Sequence, residues 1–222
     1  MLKLTFFHDV ICPYCYVENK RLKRVLADFS GEVELVHKSF AILPEEDDIK
    51  SLAPTPEEAR NVFFKEFEII KRYIPEYDLD GVKKKAKFTY VWSVPALRAC
   101  KAAELLGGME AHGKYFDEAQ RAFFEEGEDI TSEEVLADIA ERIGLEREKF
   151  LETFRSKKSY LAYVEDETEA KAMGIRGVPA LLINDLYILR GLQTEESIRT
   201  VLEDIINHGE PKRIQLRAYW EE

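Results

Sequence analysis

Cysteine is scarce in this chain: three residues in 222. A protein so poor in cysteine has no disulfide framework, and its stability must rest on a packed core. No apolar run reaches the roughly 18 residues that a membrane span needs. The start, MLKLTFFHDVICP, lacks the apolar stretch of a secretion signal, because Asp9 and a cysteine follow too soon. Positive charge is outweighed as well, with 32 Lys+Arg against 43 Asp+Glu for a net charge of −11. Such a balance opposes general binding to nucleic acid or an anionic membrane. The basic runs KRLKR (20–24), KKKAK (83–87) and PKRIQLR (211–217) read as solvated faces and a tail. Together these absences predict a cytoplasmic protein with no nucleic-acid or membrane partner.

What is present is a 45% apolar fraction, ample for one large domain or for one domain carrying a big insertion. Charged residues reach 34%, a composition similar to that of thermophile proteins. Two of the three cysteines, Cys12 and Cys15, stand three apart in HDVICPYCYVENKRL (8–22). Close pairing in a cytosolic chain points to redox or metal chemistry rather than to a structural bridge.

Residues 2–7, LKLTFF, read as a strand, and Pro13 suits the first position of a helix. Apolar spacing carries that helix to Phe29, with Gly31 as the stop, and VELVHKSF (33–40) is a second strand. From Thr55 to Gly174 only helical patterns occur, about five or six of them. Thr55–Glu58 and Thr131–Glu134 read as capping boxes, and Ser93 as the N-cap of a helix stopping at Gly107. VPALLIND and LYILRG form a hairpin turned at Asn184-Asp185, and Thr194 caps a last helix ending at Gly209. The order β-α-β, helices, β-β-α predicts an α/β protein: a thioredoxin fold with a four-stranded mixed sheet and a large all-helical insertion. The predicted division is 1–50 with 175–210 as the thioredoxin-like domain, 51–174 as the insertion, and 211–222 as a tail. Tyr219 and Trp220 give that tail a docking surface.

A free thiol is mostly protonated at neutral pH, and the thiolate is the nucleophile. Cys12 falls at the helix N-cap, where unpaired N–H groups and the macrodipole favour a negative sulfur. The N–H of Tyr14 or Cys15 is the expected donor. Cys15 begins the apolar face and is the more buried thiol. Cys12 is therefore read as the attacking thiol and Cys15 as the resolving one. A closed zinc site needs four ligands, and neither Cys100 nor the four scattered histidines show ligand spacing. Cys100 reads as a buried inert thiol. His8 reads as a surface residue, with a place near the active site as the other option. Asp9, three residues before Cys12, is either a loop cap or the acceptor of the Cys15 proton. The aromatics Phe63, Phe64, Phe67, Tyr90, Trp92, Phe123 and Phe124 supply core and a groove over Cys12. Val178-Pro179, before the strand ALLI, reads from composition as an ordinary trans proline at a strand edge.

HDVICPYCYV, FAILP (40–44) and GIRGVPALLINDLYILRGLQ (174–193) together resemble the FrnE-like branch of the DsbA-family thiol–disulfide oxidoreductases, in the thioredoxin superfamily. The resemblance covers the first 45 residues and 165–208. It implies a cis Val178-Pro179 bond facing Cys12, with Val178, Tyr14 and Pro13 at the substrate. Tyr14 and Glu18 depart from the branch, which usually has tryptophan and glycine there, and so does Leu97. The implied activity is exchange of a Cys12–Cys15 dithiol/disulfide with protein or small-molecule thiols. No bound cofactor or metal is implied. Glutathione enters as a co-substrate at most, and an unidentified redox partner recycles the pair. Two readings stay open beside it. One is a glutathione-dependent transferase or isomerase related to 2-hydroxychromene-2-carboxylate isomerase; the other is a non-enzymatic metal-binding protein. The oligomeric state, homodimer included, is left open.

Overall fold

Strand β1 (Leu2–His8), helix α1 (Pro13–Leu26) and strand β2 (Val33–Ser39) open the chain; the computed structural model describes residues 1–212. Pro13 is the first residue of α1, where its missing N–H costs nothing. The α-helix ends at Leu26. A 3-10 turn over Ala27–Phe29 replaces its last predicted turn, and Gly31, at φ 80°, redirects the chain. Strands β3 (Ala180–Ile183) and β4 (Tyr187–Arg190) form the hairpin. Asn184 and Asp185 both take positive φ there, 51° and 58°, the geometry that a tight hairpin turn requires. The sheet order is β2-β1-β3-β4. β1 runs parallel to β2 and antiparallel to β3, so the sheet is mixed as expected. Helix α9 (Glu195–His208) is capped by the Thr194 hydroxyl, which accepts from the Ser197 N–H at 3.0 Å.

Between β2 and β3 run α2 (Glu46–Leu52), α3 (Pro56–Tyr73), α4 (Leu79–Lys85), α5 (Ser93–Gln120), α6 (Glu133–Arg142), α7 (Arg147–Arg155) and α8 (Lys157–Ala172). The Thr55–Glu58 capping box is formed. The one expected at Thr131 is not: Ser132 is the N-cap, and the Thr131 hydroxyl turns back to donate to Asp129 Oδ1 at 2.6 Å. Ser93 is not a cap either. Trp92 holds that position without a side-chain bond, and Ser93 is already inside α5. The expected stop at Gly107 is a break rather than an end. Gly108 adopts φ 72° and ψ −168°, and the helix resumes as far as Gln120. A π turn over Arg121–Glu125 follows, and Phe123 and Phe124 within it are both fully buried.

β1 is a central strand covered on both faces, so Leu4, Thr5, Phe6, Phe7 and His8 are all buried. This corrects the surface placement of His8. Phe63, Phe67, Phe88, Phe123 and Phe124 make the core of the helical block, mostly with edge-to-face or tilted rings 4.9–5.7 Å apart. Phe64, Tyr90 and Trp92 are partly buried against it. No helix among the described residues is long and apolar enough to cross a membrane. The expectation for Tyr219 and Trp220 lies outside the described residues.

Candidate active site

The junction of β1 and α1 gathers the chemistry. Cys12 is the N-cap of α1 with extended φ and ψ of −82° and 115°. Its Sγ accepts the Cys15 N–H at 3.2 Å and donates its proton to the Val178 carbonyl at 3.7 Å. The first turn of α1 contains no acidic residue that would offset the positive end of the helix dipole from within the helix. Val178 is joined to Pro179 by a cis peptide bond and is itself buried, while Arg176 and Gly177 just before it are exposed. Nothing lies within 4 Å of the space in front of the Gly177 Cα, so an extended segment has room to approach that backbone. Pro13 is buried and Tyr14 is partly buried beside Cys12. Burial, first of all, raises the Tyr14 hydroxyl above its ordinary range.

Cys12 and Cys15 are free thiols, 3% and 0% exposed. Burial pushes the Cys15 thiol well up, and the neighbouring Cys12 sulfur adds to it. Cys100 is also free and fully buried, and its thiol is raised by burial as well. Asp9 is fully buried at the end of β1. Burial raises its carboxyl to about 6, against the pull of three hydrogen bonds. Ser93 Oγ and the Ile42 N–H donate to Asp9 Oδ2 at 2.6 and 2.8 Å, and the Ile11 N–H donates to Oδ1 at 3.2 Å. Ser93 Oγ in turn accepts the Leu43 N–H at 3.0 Å. Asp9 therefore holds the loop on either side of it and reaches into the helical block through one hydroxyl. No sequence signal pairs Ser93 with Asp9, because the two stand 84 residues apart.

Further along α1 the Tyr16 hydroxyl donates to Glu125, which also meets Lys20 at 3.3 Å. A depression of about 690 Å³ lies there, lined by Tyr16, Tyr73, Tyr77 and Lys20 among others. Cys12 does not line it, and neither does any of the seven aromatics from which one or two were expected to line a groove over the cysteine. Glu18 is fully buried, and its Oε2 accepts the Gln193 N–H at 3.0 Å. Burial raises its carboxyl to about 8. The histidines, which show no ligand spacing along the chain, are gathered by the fold: one ring nitrogen each from His8, His37 and His112 lies within 4.8 Å of the others.

The family profile of the DSBA-like thioredoxin domain matches residues 3–203. Among solved structures the chain is similar to a protein described as a probable DsbA oxidoreductase from Streptomyces coelicolor. That pair shares 21% identity at a TM-score of 0.73, over 96% of this chain and 93% of the other. It is similar to the cytosolic disulfide reductase DsbM of Pseudomonas aeruginosa, with 21% identity and a TM-score of 0.63, over 89% and 92%. DsbM is also known with glutathione. A 2-hydroxychromene-2-carboxylate isomerase matches at 16% identity and a TM-score of 0.61, over 92% and 94%. These likenesses carry the fold, and the match is to the family as a whole rather than to its FrnE-like branch.

Proposed function

The chain belongs to the DSBA-like thioredoxin domain family, and from that premise we propose that it is a thiol–disulfide oxidoreductase working through Cys12 and Cys15. The observation that carries this reading is the pairing of Cys12 Sγ with the Cys15 N–H on one side and the Val178 carbonyl, next to cis-Pro179, on the other. In the oxidising direction a substrate thiolate attacks Cys12 Sγ of the Cys12–Cys15 disulfide. A substrate–Cys12 bond forms, the internal bond breaks, and Cys15 leaves as a thiolate that takes a proton from Asp9. A second substrate thiolate then attacks the first substrate sulfur and displaces Cys12. The substrate is oxidised by two electrons and the cysteine pair reduced by two. In the reducing direction each step reverses, and Asp9 accepts the Cys15 proton as Cys15 attacks the mixed disulfide. Val178 offers backbone to an extended substrate by strand addition, with Pro13 and Tyr14 flanking the sulfur. A redox partner returns the pair to its starting state.

The test is thiol exchange by full-length variants in an insulin-reduction or thiol-oxidation assay. Cys12→Ser is expected to lose turnover by at least about a thousandfold, the scale of removing a nucleophile. Cys15→Ser is expected to stop turnover and to accumulate a mixed disulfide at Cys12. Full activity in Cys12→Ser sinks the mechanism. The similarity to the glutathione-bound reductase and to the isomerase favours one further reading, a glutathione-dependent transferase or isomerase. That reading requires activity to survive in Cys15→Ser with glutathione present. Equilibration of the wild-type pair with glutathione, read by alkylation and mass spectrometry, gives the direction of flow. A potential below about −260 mV marks a reductase, and one above about −200 mV an oxidase or isomerase.

A further inference from the structure

We propose that His8, His37 and His112 form a binding site for a divalent transition ion of the zinc class, separate from the cysteine pair. Three of the chain's four histidines meet here. They come from β1, β2 and the second half of α5, and are 0%, 5% and 0% exposed. Their ring centroids are 5.2–5.4 Å apart. Four of the six ring nitrogens are buried and make no hydrogen bond among the described residues: both on His8, Nδ1 of His37 and Nε2 of His112. Buried polar groups are ordinarily paired, because an unpaired one forfeits its hydration for nothing. Phenylalanine or leucine would fill this space, against Phe6 and Phe116, without that cost.

The surroundings are those of a ligand set. Glu104 Oε2 pairs with His112 Nδ1 at 2.7 Å, which fixes the ring and leaves Nε2 with its lone pair. Residues 104 and 112 are separated by roughly 12 Å of rise in an unbroken helix; the break at Gly108 lets them meet. Lys101 holds Glu104 at 2.6 Å, Asp166, 3.1 Å from Lys101, also meets Lys38 at 2.9 Å, and Lys23 pairs with Asp117 at 2.5 Å, so the three ammonium charges nearby are offset. His37 lines a surface depression of about 410 Å³ together with Met109 and Gly113, which makes it the member of the trio nearest solvent. At Gly113 a Cβ would stand only 3.1 Å from His37 Nε2, so glycine makes room for the ring. Zinc–imidazole bonds are about 2.0–2.1 Å, which places three nitrogens about 3.3 Å apart around one ion. Binding requires the present limit of 4.8 Å to contract to that. All-imidazole ligation selects zinc, cobalt, nickel or copper over magnesium and calcium. With three protein ligands, the fourth position falls to water or an exogenous group.

The test uses the full chain carrying Cys12→Ser and Cys15→Ser, so that the thiols of the pair cannot hold metal. Co²⁺ is titrated and its visible ligand-field bands followed, and bound Zn²⁺ is counted after gel filtration. The expected result is one ion per chain, with no thiolate-to-cobalt charge-transfer band and a rise in Tm with added Zn²⁺. His8→Phe and His112→Phe, which keep the ring volume, are expected to lower the affinity at least tenfold. Absence of stoichiometric binding, or binding unchanged by His112→Phe, overturns the proposal. If the Phe variants fail to fold, the Tm of the His-intact chain decides: no rise with Zn²⁺ overturns it.

Discussion

Two carboxyl groups are buried on either side of the cysteine pair, and they are treated differently. Asp9, before it, receives three donors and sits near 6; Glu18, after it, receives one and sits near 8. Both are raised mainly by loss of water. The difference teaches how hydrogen bonds to the charged form counter burial, bond by bond. It leaves Asp9 able to gain and lose a proton around neutral pH, whereas Glu18 stays largely neutral as an acceptor for the loop that precedes α9.

The comparison is broken most sharply at Asp9. Asp9→Asn cannot exchange a proton, and the thiol-exchange rate is expected to fall about 100-fold, within the range of a lost acid–base group. The wild-type pH–rate profile is expected to inflect near pH 6, and that inflection is expected to vanish in Asp9→Asn. A stopped-flow profile with the same inflection in Asp9→Asn separates Asp9 from the reaction. The next effect is on stability. Glu18 holds its proton more tightly when folded than the ordinary 4.5. It therefore contributes stability that is complete below about 4.5 and is lost as pH rises through about 8. Glu18→Gln keeps an acceptor for Gln193 and removes that loss. It is expected to be up to about 5 kcal/mol more stable than wild type at about pH 9 and within about 1 kcal/mol of it at about pH 5, by denaturant titration. A constant difference across that window contradicts the assignment. The smallest effect sharpens the bond count. Ser93→Ala takes one donor from Asp9, so the pH–rate inflection is expected to move upward by about half a unit, with about 1 kcal/mol lost in stability. A downward move shows that the hydroxyl is not supporting the charged carboxylate.

Legibility followed distance along the chain. The CxxC pair, Pro13 at the helix start and the Asn184-Asp185 turn are decided by neighbours, and each was readable from its own few residues. Thr55 and Thr131 carry the same pattern, yet only one makes a box. Asp129, two residues before Thr131, competes for its hydroxyl. Ser93 read as a cap because its partners, Asp9 and Leu43, lie on distant segments. His8 read as a surface residue because nothing near it along the chain shows what packs on it; α5, through Phe116, covers it here. The histidine trio left no spacing signal because β1, β2 and α5 bring its members together only after folding.

The uneven dress of Asp9 also decides on which atom its proton resides. Oδ2 accepts from both Ser93 and Ile42, whereas Oδ1 accepts, among the described residues, only from Ile11, and at the longest distance of the three. A proton arriving at Oδ2 must displace a bond, and one arriving at Oδ1 need not. In the thiol exchange proposed above, Asp9 would therefore act through Oδ1, with Oδ2 anchored toward the helices.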